Sequence, residues 1–187
     1  MTPRHARGDD ERRAQLRRIF DGDFDYVWAS LRRLGIPDRD LEDLSQEVFV
    51  QVYRKIDDYD PARPIRPWLF AFMFRCASDW RRRAWRRLEV LGNALEPADT
   101  TLGAEETMAR AEDLDLALGA LECVDIDRRA VFILYELDGY PMKEIAASLG
   151  IPVFTGYSRL RVAREEFEAA AQRLLQVRGR QEERGQR

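Results

Sequence analysis

Histidine, cysteine and long apolar runs are what this chain is short of. Its 187 residues include one histidine, His5, and two cysteines, Cys76 and Cys123. The cysteines lie far apart with no Cys or His cluster around them, which excludes a disulfide framework and a zinc site. There is no phosphate-cradling glycine loop and no metal-ligand spacing, so the groups that catalysis must position are missing. No cofactor and no metal are expected, and an enzyme is the class that fits least. The longest apolar run, Pro67 to Phe74, is far too short to span a bilayer, and the arginine-rich stretch from Met1 to Arg18 has no apolar core of a leader. The expectation is a cytoplasmic chain with no membrane insertion. A net charge of −3 argues against a uniformly basic coat and leaves room for a local basic patch offset elsewhere.

What is present is helical periodicity. Apolar residues recur at spacings of three and four almost throughout, without the alternation of strands, so the fold class reads as all-α. Leu16, Ile19, Phe20, Phe24, Val27, Trp28 and Leu31 mark a first amphipathic helix that stops at Gly35-Ile36-Pro37. Asp38 or Asp40 is placed to cap a second, with Leu41, Leu44, Val48, Val52 and Ile56 as its core stripe. Asp57 to Pro67 holds three prolines and reads as a stiff, aromatic-bearing loop. Trp68 then opens an apolar helix that turns basic at Arg75 and ends in Arg81-Arg82-Arg83-Ala84-Trp85-Arg86-Arg87. Periodicity weakens from about Leu88 to Met108 and returns around Leu114 to Val124, Ala130 to Leu137, Met142 to Leu149 and Val153 to Leu175. This predicts two small helical domains joined by a flexible linker: a basic tail over 1–22, a first domain over 23–88, a linker over 89–110, a second domain over 111–175 and a tail over 176–187.

The sharpest local signal is Pro141 to Pro152, read as a short helix, a glycine-marked turn and the start of another helix. Ala146 is small enough for a close helix crossing, Gly150 accepts a left-handed turn, and Pro152 fits a helix start. That is a helix-turn-helix, and Thr155, Tyr157, Ser158, Arg159, Arg161 and Arg164 would face a major groove. The second signal is Arg75 to Arg87, whose arginines suit phosphates while Trp80 or Trp85 stacks on bases or packs inward.

From about Phe24 to Leu175 the chain resembles the sigma-70 family, in its compact extracytoplasmic-function group. Asp43-Leu44-Ser45-Gln46-Glu47-Val48-Phe49 is similar to the family's clamp-binding helix, and Trp68-Leu69 to the start of its promoter-melting helix. Arg129-Ala130-Val131-Phe132, Glu144-Ile145-Ala146, Leu149 to Val153 and Ser158-Arg159-Leu160 resemble its promoter-reading domain. The resemblance implies a sigma factor whose partners are core RNA polymerase, the double-stranded −35 element, the single-stranded −10 element and an anti-sigma factor. It implies that Asp43, Gln46 and Glu47 face polymerase, and that Tyr59, Arg63 and Arg66, in the loop that holds a flipped-out base, act with Arg75, Asp79, Arg82 and Arg83 on the −10 strand. Trp68, Phe70, Phe72 and Phe74 are assigned mostly to the core.

Two departures bear on DNA reading. The family usually has asparagine where Arg75 stands, and Gly-Thr-Val-Lys where Phe154-Thr155-Gly156-Tyr157 stands. Gly156 replaces an inward apolar residue and costs on the order of 1 kcal/mol within a helix. Phe154 would supply the missing contact if the helix were rotated, an idea that a solvent-exposed Phe154 excludes. A stand-alone helix-turn-helix regulator would account for the second domain but leaves Asp43 to Phe49 and the proline-arginine loop without a purpose. A helical adaptor would account for exposed helices alone.

Overall fold

The computed structural model describes residues 4–91 and 105–185, and those residues are helical with no strand. Seven α-helices follow one another: α1 (Arg4–Arg33), α2 (Asp38–Lys55), α3 (Ile65–Leu91), α4 (Glu105–Glu122), α5 (Ile126–Phe132), α6 (Met142–Leu149) and α7 (Val153–Gly185). A 3-10 turn, Ile56–Asp58, closes α2, and a π turn, Ile133–Leu137, extends α5. The chain divides into two compact units, residues 1–32 with 36–87, and residues 33–35 with 88–187.

In the first unit, the expected stripe of α2 is buried: Leu41, Leu44, Val48, Val52 and, in the turn after it, Ile56. Each such side chain contributes roughly 1.5–3 kcal/mol when removed from water. Ile19, Val27 and Leu31 of α1 and Leu69, Phe70, Phe72 and Met73 of α3 pack into the same core. Neither Asp38 nor Asp40 caps α2. Pro37 occupies the N-cap with no side-chain hydrogen bond, and both aspartates lie in the first turn, where carboxylates favour the positive end of the helix. The basic segment expected as a tail over 1–22 is instead helical from Arg4 onward. Arg12 accounts for part of this: it donates to the Tyr53 carbonyl at 3.2 Å, pairs with Asp57 and lies over the Tyr53 ring. α3 also starts earlier than expected, at Ile65, because Pro67 fits the first helical turn, where a missing N–H costs nothing.

The second unit packs α4, α5 and α6 against α7. Ala120, Leu121, Val124, Val131, Ile133, Leu134, Ile145, Leu160 and Ala163 are among its buried apolar residues. Arg129 is fully buried among them. Its guanidinium donates to the carbonyls of Glu122 at 2.7 Å and Val124 at 2.9 Å, satisfying oxygens that the end of α4 leaves open. Asp125 caps α5 by accepting from the Asp127 N–H. The tail expected over 176–187 continues α7 as far as Gly185. The linker expected over 89–110 lies outside the described residues except where α3 ends and α4 begins.

Candidate polymerase and nucleic-acid interfaces

Core packing decides what α2 presents outward. With its stripe turned inward, Glu42, Asp43 and Gln46 are exposed and Glu47 is half-buried. Glu47 reaches α3, where its carboxylate lies 3.6 Å from the Arg83 guanidinium. Asp43 and Gln46 therefore stand outward, while Glu47 is shared with a residue assigned to the −10 strand. Beside Gln46, α1 and α2 enclose an apolar groove of about 670 Å³ lined by Leu16, Phe20, Phe24, Phe49 and Val50. The Phe20 ring packs at a tilt against Phe49, with centroids 4.8 Å apart. Sequence periodicity marks these residues as apolar but not as a groove, because the gap between two helices is a property of their crossing.

The loop after α2 is held by its own polar atoms. The Ala62 N–H donates to the Asp60 side chain at 3.0 Å, and the Tyr59 hydroxyl donates to the Arg63 carbonyl at 2.9 Å. Burial first, then the nearby carboxylates of Asp60 and Asp23, raises the Tyr59 pKa, so the phenol stays protonated and keeps that bond. Its ring packs at 5.1 Å on Trp68, which in turn meets Phe72 edge-on at 4.8 Å. Arg75 stacks over Phe72 at 4.7 Å. Trp68, Phe72 and Arg75, with Gln51, Arg54 and Lys55, line an open cavity of about 490 Å³. Phe70 and Phe72 are buried as expected of core residues, whereas Trp68 and Phe74 are only half-buried.

The structure does not bring all the expected −10 residues to that cavity. Arg63 lies exposed beside Asp60, and Arg66 bonds Asp23 at 3.0 Å and stacks on Tyr26. Asp79 pairs with Arg82 one turn on, and both lie further along α3. Among the tryptophans of the basic segment, Trp80 is half-buried and Trp85 is 61 % exposed.

In the second unit, α6 ends on Gly150, which adopts φ 67° and donates its N–H to the Ala146 carbonyl. Ile151 also donates to Ala146, and Pro152 accepts the first bond of α7 from Gly156. This is the expected helix-turn-helix. Tyr157, Ser158 and Arg161 point outward and Thr155 is half-buried. Arg159 and Arg164 are engaged within the domain, the first with Asp127 at 2.9 Å and the second with Glu136 at 2.6 Å. Arg128 and Glu166 add a bidentate pair at 2.9 and 2.8 Å, so α7 is clamped to α5 and the π turn by three ion pairs.

Phe154 does not fill the place left by Gly156; it is 84 % exposed. The space is taken by Met142, which is buried, with its Cγ 3.3 Å and its Sδ closer still to where a Cβ on residue 156 would stand. The glycine is thus a close helix crossing, not a defect. Only Met142, a long side chain in the preceding helix, could have hinted at it, and nothing in the local pattern of α7 does.

Known proteins resemble stretches in both halves of the chain. A family model for sigma-70 region 2 matches residues 24–87, and one for sigma-70 region 4 matches residues 114–167. The chain is 32% identical to RNA polymerase sigma factor CnrH of Cupriavidus metallidurans over 149 residues, 74% of this chain and 76% of that one. It is 29% identical to the ECF RNA polymerase sigma-E factor of Escherichia coli over 161 residues, 81% of this chain and 84% of that one. Among solved structures, CnrH in complex with the cytosolic domain of CnrY matches with a TM-score of 0.59 at 26% identity, over 92% of this chain and 94% of that one. The sigma factor RpoE from Bartonella quintana, solved with the anti-sigma factor NepR, shares the fold, with a TM-score of 0.69 at 20% identity over 84% of this chain and 97% of that one.

Proposed function

Since the chain belongs to the sigma-70 family, as an extracytoplasmic-function sigma factor, we infer how its two units divide the work of an alternative sigma factor directing promoter-specific transcription. The observation that carries the reading is the presence of both promoter-handling regions in order, with an intact helix-turn-helix in the second. A stand-alone helix-turn-helix regulator would leave the first match unexplained.

Asp43 and Gln46, with Glu47 at their edge, form the face that docks on core polymerase. Their exposure on the side of α2 turned away from the core supports this. Tyr59, Arg63, Arg66 and Arg75 act on the opened −10 strand together with Asp79, Arg82 and Arg83. The cavity walled by Trp68, Phe72 and Arg75 suits an unstacked base, because an aromatic ring and a guanidinium replace the stacking lost on unpairing. Trp85, exposed among arginines, adds a second stacking surface. For the −35 duplex, Tyr157, Ser158 and Arg161 make the outward contacts. Thr155, Arg159 and Arg164 lie at the margin, the two arginines holding the helix through Asp127 and Glu136 unless DNA phosphates draw them away. The chain supplies recognition and polymerase supplies the chemistry, so this reading makes it no enzyme and places it in the cytoplasm with its partner. CnrH is solved with the cytosolic domain of CnrY, and by that likeness we extend the partners of this chain to an anti-sigma factor. A pull-down from the native host that recovers no inhibitory protein counts against it.

Run-off transcription with purified bacterial core polymerase on a pooled promoter library tests the whole reading. Transcripts from a defined motif with the wild type, fading at least tenfold with Gln46→Ala plus Glu47→Ala, are the expected result. A chain that ignores polymerase and binds DNA by itself would overturn it.

A further inference from the structure

The start of α7, Val153 to Arg164, carries arginines at 159, 161 and 164 and no acidic residue. Its buried side is Gly156, Leu160 and Ala163, while Val153, Phe154, Tyr157, Ser158 and Arg161 are exposed. Phe154 is 84 % exposed, more than any other large apolar side chain among the described residues. Two features hold the ring there. Met142 occupies the space beside Gly156, which sets the rotation of α7 on α6. The clamp of Arg159 on Asp127 and Arg128 on Glu166 keeps that rotation from the other side. A turn of the helix that buried Phe154 would break both.

A bare phenyl ring beside Val153, on a face whose remaining side chains are hydroxyl-bearing or cationic, fits a surface that is anionic overall but offers isolated methyl groups. The major groove of duplex DNA is such a surface, since phosphates line its walls and thymine alone presents a methyl group among the base edges. Guanine reading by arginine is restricted here. Arg159 and Arg164 lie against carboxylates, and Arg161, 2.6 Å from Glu165, is the arginine on the outward face. We propose that Phe154 is a specificity-determining residue that reads thymine, through its 5-methyl group, in the double-stranded upstream promoter element. This rests on the promoter-reading role given above to α6 and α7.

Holoenzyme assembled from the full chain and purified core polymerase would be used to select an upstream motif from a randomised duplex pool. Each thymine of the recovered motif is then replaced singly by deoxyuridine, which removes the methyl group and leaves base pairing and groove hydrogen bonds intact. At one position the wild type should lose about fourfold in affinity, the worth of one buried methyl group. Phe154→Ala should bind the thymine and uracil duplexes equally there, and Phe154→Leu should retain the preference. If uracil at every position affects the wild type and Phe154→Ala alike, the inference is overturned while promoter reading stands. Loss of polymerase capture by Phe154→Ala, with DNA discrimination unchanged, would make the ring a protein contact and overturn it as well. A pool that yields no motif at all would sink the promoter-reading role itself, and the inference with it.

Discussion

At the scale of single residues, two buried positions behave unlike their exposed counterparts. Cys76 is inaccessible, and burial first, then Glu47 and Asp79, pushes its thiol up to about 12 from an ordinary 9.0, against the opposing pull of Arg75 and Arg83. Gln51 donates to its sulfur at 3.3 Å. Native protein should therefore give one reactive thiol with a thiol-disulfide reagent, from the exposed Cys123, and a second only on unfolding. Below pH 9 both states keep the Cys76 proton and its shift contributes no pH dependence. Between pH 9 and 12 only the unfolded state ionises, so stability should fall by about 1.4 kcal/mol per pH unit, a component absent in Cys76→Ala. Urea denaturation across that range measures it. Gly156 gives a second prediction. Gly156→Val should cost about 1–3 kcal/mol by overlap with Met142, although valine is the better helix residue. Combined with Met142→Ala, the loss should be smaller than the sum of the two single losses by more than 0.5 kcal/mol, as residues in contact require.

Elements show why helical periodicity was a sound guide to the core and a poor one to element ends. The stripe of α2 was legible because burial on one side of a helix repeats every three or four residues, and Leu41, Leu44, Val48 and Val52 all bury as that rule demands, whereas in α1 only Ile19, Val27 and Leu31 of the expected stripe are buried and Phe20 is exposed. The start of α3 at Ile65 was not legible, since a proline reads as a breaker until the turn it occupies is known. Arg129 was visible only as one member of a resemblance. Its work is to close the α4–α5 junction by donating to the Glu122 and Val124 carbonyls. Arg129→Met, which keeps much of the bulk, should destabilise the second unit by roughly 3 kcal/mol or more, because buried carbonyl oxygens lose charged donors. Arg129→Lys should recover little of this, as a single ammonium lacks the planar fork. Thermal unfolding followed by far-ultraviolet circular dichroism checks both.

For the molecule as a whole, charge distribution governs when DNA is bound. A net charge of −3 gives little long-range pull towards a polyanion, and many of the arginines proposed to meet DNA lie against carboxylates: Arg66, Arg82, Arg83, Arg159, Arg161 and Arg164. The free chain should bind promoter duplex only at the non-specific level, with dissociation constants of roughly 10⁻⁴–10⁻⁶ M at physiological salt, and tightly only with core polymerase. Fluorescence anisotropy with and without core separates the two, and tight specific binding by the chain alone would count against a sigma factor. Fold class, the order of the two functional regions, the helix-turn-helix and the outward face of α2 were determined by the sequence, because each rests on local spacing or on a run of adjacent residues. The groove between α1 and α2, the cavity that joins Trp68 to Gln51, the arginines drawn onto carboxylates and the exposure of Phe154 were decided only by tertiary structure. Each depends on which residues distant in the chain come to lie side by side, and a helix's rotation against its neighbour, here set by Met142 beside Gly156, is not encoded within the helix itself.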